Sequence, residues 1–243
     1  MLLEVEGIVI SVVPYGETSK IINVYTQEFG VIGIMCKGAL NIKSPVRNLT
    51  EKLTLANFNI KYHPHKLSFL ESVDVINYFK NTKSDILLIS YATYLCDLVS
   101  QIVKQSDDKE IYHLFKSALL KIEELLDPLV ITNIFEVKIL DYLGVGLNLT
   151  ECALCGRKKE IVALSTQVGG LICKNCYTNE QILPINIIKF LNMYYLVDLK
   201  SISKLNIKKD IKKEINNFLV AYYLDYTGLY LKSKDFLKTI QKL

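Results

Sequence analysis

Cys152, Cys155, Cys173 and Cys176 stand in the spacing C-x2-C-x17-C-x2-C. A two-residue gap lets both sulfurs of a pair face one point while backbone N–H groups bond them. Two such pairs supply four thiolates at about 2.3 Å from a tetrahedral ion, the closed geometry of structural zinc. Gly156, directly after Cys155, suits a turn that folds back onto the metal. Two disulfides are the other use of four cysteines, and these are rare in cytoplasmic chains. A four-thiolate site leaves no position for water, so it predicts one structural zinc per chain and no zinc chemistry. The cluster carries a formal charge of −2, partly offset by Arg157, Lys158, Lys159 and Lys174. The other cysteines, Cys36 and Cys96, lie in apolar segments and read as small buried hydrophobes.

No catalytic constellation stands beside this cluster. His63 and His65 occupy a turn, and His113 reads as a partly buried helix residue. None is spaced to activate a serine or cysteine, and no glycine-rich phosphate loop is present. The chain therefore reads as a non-enzyme without a small-molecule substrate. Its basic residues are 27 lysines against only Arg47 and Arg157. Arginine reads guanine edges in bidentate fashion, whereas lysine meets phosphate as a point charge. A nucleic-acid partner would thus be held by its backbone, without sequence preference. Charge is uneven: residues 81–150 hold 6 basic against 10 acidic side chains, and residues 184–243 hold 11 against 5. The middle helices are acidic, Lys83 and Lys104 included among them, and the positive field sits at the C-terminal end.

The elements that position these residues change character near residue 80. Before it, apolar alternation marks strands over Val5–Val13, Lys20–Thr26, Val31–Lys37, Leu53–Tyr62 and Lys66–Val75, with breaks at Pro14–Thr18, Glu28–Gly30 and His63–His65. Five short strands predict a closed OB-fold barrel, which removes the exposed edges of a small sheet. From Ser84, a candidate N-cap, the period becomes helical, with Leu87, Leu88, Tyr91, Leu95, Leu98 and Ile102 as one stripe. Further helices are expected over Asp108–Leu126, from Asp127-Pro128 to Gly144, over Pro184–Val197 and Ile207–Thr227, and from Ser233. The expected fold class is α+β: a barrel over residues 1–78, then one α-helical domain over 79–243 carrying the four-cysteine zinc knuckle at 150–180. The N-terminus has no basic leader ahead of an apolar run, and no stretch is long enough for a membrane span. A cytoplasmic, nucleoid-associated protein without membrane contact is expected.

Several segments together resemble the RecO family. Gly7–Leu40 is similar to that family's barrel start, with Tyr15-Gly16-Glu17, Ser19-Lys20 and Lys37-Gly38-Ala39 in order. Ile134–Gly156 resembles its central helix and first zinc pair, Ala163–Cys176 its second pair, and Tyr222–Leu237 its C-terminal signature. Where family members carry arginines after Lys-Gly-Ala, this chain has Leu40-Asn41-Ile42, with charge deferred to Lys43.

The resemblance implies a DNA repair and recombination mediator. Such proteins bind single- and double-stranded DNA and anneal complementary strands. With RecR they help load RecA onto strands coated by single-stranded-DNA-binding protein. An OB surface with lysines is a sequence-tolerant backbone binder. Alternation predicts Ile32, Ile34 and Cys36 inward, and Asn57, Asn59 and Lys61 on one outer face. Lys20, Lys37, Lys43, Arg47 and Lys61 are the candidate groove lining, and Tyr15, Tyr25 or Phe29 the candidate base-stacking rings. Lys208–Lys213 is a second basic run, which also suits a solvated helix face. A groove between the late helices is expected to take the acidic, phenylalanine-ended tail of single-stranded-DNA-binding protein. The competing reading is an OB-fold and zinc RNA-binding accessory factor.

Overall fold

Alternating burial builds the first sheet. In β4 (Leu55–Lys61), Ala56, Phe58 and Ile60 are buried while Asn57, Asn59 and Lys61 keep contact with solvent. In β3 (Gly30–Cys36) the same rule buries Ile32, Ile34 and Cys36 in the shared core. With β1 (Leu2–Tyr15), β2 (Ser19–Thr26) and β5 (Ser68–Asn77), these strands form a closed barrel in the order β1-β2-β3-β5-β4. All neighbours run antiparallel except β3 and β5, which meet in parallel. This is the expected OB-fold barrel. The computed structural model describes residues 1–106, 108–180 and 185–240.

Closure depends on β1, which pairs with β4 over Leu2–Ile8 and with β2 over Gly7–Tyr15, with an irregularity between Val9 and Ser11. Gly7 lies where both pairings overlap. A Cβ there would stand 2.3 Å from Val24 Cγ1 and 2.9 Å from the Tyr25 carbonyl oxygen, so only glycine fits. The break expected at Pro14 does not occur. Past Val9 the strand pairs with β2 alone, and a proline that gives no N–H is tolerated on such an edge.

The chain divides into two compact units, residues 1–123 with those from Ser233 onward, and residues 124–232. The last barrel strand ends at Asn77, and the helices that follow belong to the same compact unit as the barrel. The helices therefore do not form one body. In the first unit these are α1 (Lys80–Ser84), α2 (Ile86–Ile102) and α3 (Lys109–Glu123). Asp85 caps α2 in place of Ser84, its carboxylate accepting from the N–H groups of Leu87 and Leu88. The predicted stripe is buried at Leu88, Tyr91, Leu95, Leu98 and Ile102, with Leu87 half-exposed. From α3, Tyr112 and Phe115 pack on Tyr25 of the barrel, and the Tyr112 hydroxyl and Lys116 ammonium both donate to Glu6.

In the second unit, α4 (Pro128–Tyr142) starts as predicted, with the Asp127 carboxylate accepting from Leu129 and Val130. Residues 130–137 are buried on every side of this helix. Around it lie α5 (Ile185–Leu196) and α6 (Lys209–Tyr226). The Tyr223 hydroxyl donates to the Glu136 carbonyl at 2.9 Å, and Lys212 pairs with Asp127. Pro184, the expected start of α5, lies outside the described residues. The last helix, α7 (Lys232–Ile240), returns to the first unit, where the Lys234 ammonium lies 4.3 Å over the Tyr94 ring. No described helix is long and apolar enough to cross a membrane.

Candidate metal centre and nucleic-acid surface

Between α4 and α5 the second unit forms a three-stranded sheet that the sequence reading did not anticipate. Its strands are β6 (Asn148–Cys152), β7 (Ile161–Ser165) and β8 (Gly170–Cys173), in the order β6-β8-β7. β6 and β8 run parallel, and each ends on the first cysteine of a pair, so both knuckles leave the sheet at the same end. The turns then close by backbone bonds, Gly156 N–H to the Cys152 carbonyl at 2.9 Å and Cys176 N–H to the Cys173 carbonyl at 3.0 Å. Gly156 takes φ +72°, a conformation glycine adopts without steric cost. The Cys173 N–H also points at Cys152 Sγ, 3.4 Å away.

All four sulfurs lie within 4.8 Å of one another, and Cys155 Sγ is 3.6 Å from Cys173 Sγ. Ligands at about 2.3 Å on a tetrahedron stand roughly 3.8 Å apart, so the donor set fits a single ion. The surrounding N–H groups favour thiolate. Burial pushes the Cys152 thiol up, but N–H groups of Cys173, Leu154 and Cys155 outweigh it and bring it down to about 6. Cys176, sharing its hydrogen with Cys155 and then opposed by burial, is pushed up to about 12. Cys36 and Cys96 are buried thiols of the first unit, each raised by burial to about 12.

On the barrel, the structure separates the predicted contact residues into two groups. Lys37 is exposed, with its ammonium 5.1 Å over the Phe69 ring, and Phe69 is the register partner of the exposed Lys61. His63 meets the same ring edge-on at 6.0 Å. This end of the barrel thus gathers two lysines around a half-buried aromatic, a ring that sequence reasoning overlooked. Lys20 and Arg47 belong to another place. Lys20 is only 4% exposed and its ammonium donates to the Arg47 carbonyl at 2.8 Å. Both line a cleft shared with Lys52 and Lys83. Lys83, on α1, thus faces this cleft as well as Glu123 of α3. Lys43 is exposed on the turn between the two groups.

The aromatic candidates divide similarly. Tyr15 is 56% exposed at the end of β1. Tyr25 is 4% exposed, edge-to-face with Tyr112 at 5.4 Å, so it is core and has no free face for a base. Phe29 packs on Tyr62 at 4.9 Å. His113, read as partly buried, is exposed. In the second basic run, Lys208, Lys209 and Lys213 are exposed at the start of α6, while Ile211 is buried and Lys212 is paired.

Two family models cover this architecture: "Recombination protein O N terminal" matches residues 1–79 and "Recombination protein O C terminal" matches residues 83–235. The chain belongs to the RecO family. The joint between the two matches falls where the barrel ends and α1 begins. Similar curated relatives include the DNA repair protein RecO of Listeria innocua serovar 6a, 33% identical over 98% of this chain and 94% of the relative. That of Bacillus cytotoxicus is 31% identical over 100% of this chain and 99% of the relative. RecO membership makes this a DNA repair protein and favours that reading over the RNA accessory factor.

Proposed function

We propose that this RecO-family chain is a non-enzymatic recombination mediator. It binds single- and double-stranded DNA without sequence preference and anneals complementary strands. Together with RecR it assists RecA loading on strands coated by single-stranded-DNA-binding protein, in the cytoplasm and at the nucleoid. The observation that carries the reading is a lysine-bearing OB barrel in a chain that matches the family from residue 1 to 235. Annealing needs only that charge be neutralised and strands brought together, so lysines that meet phosphate suffice. Lys37, Lys43, Lys61, Arg47 and Lys20 are the backbone contacts in this account, and Tyr15 is the exposed ring available to stack.

Cys152, Cys155, Cys173 and Cys176 hold one zinc ion, which supplies a cross-link between β6 and β8 and no chemistry on a substrate. The partner protein is recognised by its acidic tail, which the late helices take up. A strand-annealing assay on coated complementary DNA tests the whole reading. Metal-loaded chain should accelerate annealing, and an excess of a peptide matching the acidic tail should suppress it. Annealing no faster than without the chain would overturn it.

A further inference from the structure

A cleft of about 530 Å³ opens in the first unit, between the flank of the barrel and helices α1 and α2. Four cations line it: Lys20 from β2, Arg47 and Lys52 from the segment between β3 and β4, and Lys83 from α1. Glu51 is the one acid among the described lining residues, and Asp97 stands 3.5 Å from Lys52. The carboxylate of Glu123, which also faces Lys83, is already taken by the backbone N–H groups of Asn81 and Thr82 and the Thr82 hydroxyl. Four positive charges thus meet three carboxylates, those of Glu51, Asp97 and Glu123, which leaves an excess of one. The excess is not well solvated, because burial draws both Lys20 and Lys83 below the ordinary lysine value. Like charges gathered in a half-dry cleft are stabilised when an anion joins them.

The remainder of the lining defines what the anion carries. Val12, Leu40, Leu53 and Ile89 supply an apolar floor. Leu53 holds its wall in the left-handed region, φ +57°, with its N–H donating to the Val9 carbonyl at 2.9 Å. A bare phosphate would leave most of the volume empty, whereas a nucleotide fills it. The described lining has neither an aromatic ring to stack on a base nor an amide side chain to pair with adenine. The segment from Lys37 through the exposed Lys43 to Arg47 joins the cleft to the basic end of the barrel, as an extended strand requires.

We propose that this cleft seats one nucleotide of a single-stranded polynucleotide, its phosphate among Arg47, Lys52 and Lys83 above the buried Lys20, and its base on Leu40, Leu53 and Ile89. The inference rests on the nucleic-acid-binding reading and adds Lys52 and Lys83 to it.

Amine labelling of the metal-loaded, full-length chain, read by mass spectrometry with and without a short oligothymidylate, tests it without any variant. Lys52 and Lys83 should label several-fold more slowly when the strand is bound, while Lys104 and Lys109 should not change. The double variant Lys52→Gln, Lys83→Gln should bind the strand about tenfold more weakly and lose about two from the slope of log affinity against log salt. Full strand binding with neither protection nor a weaker double variant overturns the cleft assignment and leaves the DNA-binding reading standing. No strand binding by the unsubstituted chain overturns both. Protection of Lys52 and Lys83 by an oligoglutamate peptide but not by the strand overturns the assignment in favour of an acidic-peptide site.

Discussion

At the scale of single residues, the cysteine cluster and Glu6 are the side chains whose removal has the most readable consequences. Two of the four sulfurs are buried, and each pair is fixed by the end of a strand. Metal binding to such a set contributes on the order of 10 kcal/mol to folding its segment. Cys173→Ser, or stripping with a chelator, should abolish stoichiometric metal content by atomic absorption and open residues 150–180 to protease. Oligonucleotide binding by the barrel should survive. Glu6 accepts from both Tyr112 and Lys116, and although burial opposes its charge, these bonds hold it below the ordinary carboxylate value of 4.5. A carboxylate depressed by folding stabilises above its unfolded value, and the contribution is lost as pH falls through the folded one. The pair is part-exposed, so Glu6→Gln should cost no more than about 1 kcal/mol at pH 7. Urea melts should show that difference shrinking as pH falls below 4.5. The four cysteines were legible because metal ligation imposes a local spacing. The burial of Tyr25 and the company of Lys83 were not, since α3 and the cleft decide them through contacts remote in sequence.

At the scale of elements, alternation is the rule that holds. Ala56, Phe58 and Ile60 against Asn57, Asn59 and Lys61 can be read off the chain because a strand's period is local. The three-stranded sheet at the cysteines could not, because β8 is four residues long and buried at every one. No period can show in so short a run. The cap of α2 was misplaced by one residue for a similar reason, since Ser84 and Asp85 are both competent caps and only the backbone decides. Gly7 is the position where one methyl group should disturb a whole element. Gly7→Ala must push β1 off Val24 and the Tyr25 carbonyl, and should destabilise the barrel by about 1–3 kcal/mol in denaturant melts. An unchanged midpoint would mean that β1 and β2 do not approach as closely as described.

At the scale of the whole molecule, one unit carries the barrel and its cations, and the other carries a three-stranded sheet with four clustered cysteines at its end. The charge asymmetry along the chain said only that a polyanion was permitted. Folding gathers what the linear count dispersed, since Lys20, Arg47, Lys52 and Lys83 come from three segments and meet in one cleft. The near absence of arginine carries the expectation of backbone grip without base reading. Fluorescence anisotropy of labelled oligonucleotides across a salt series tests that claim most directly. Log affinity should fall linearly with log salt, with a slope of about −3 or steeper, and differ by less than about threefold between oligothymidylate and a mixed sequence of equal length. An affinity indifferent to salt, or one that depends strongly on base sequence, would contradict it.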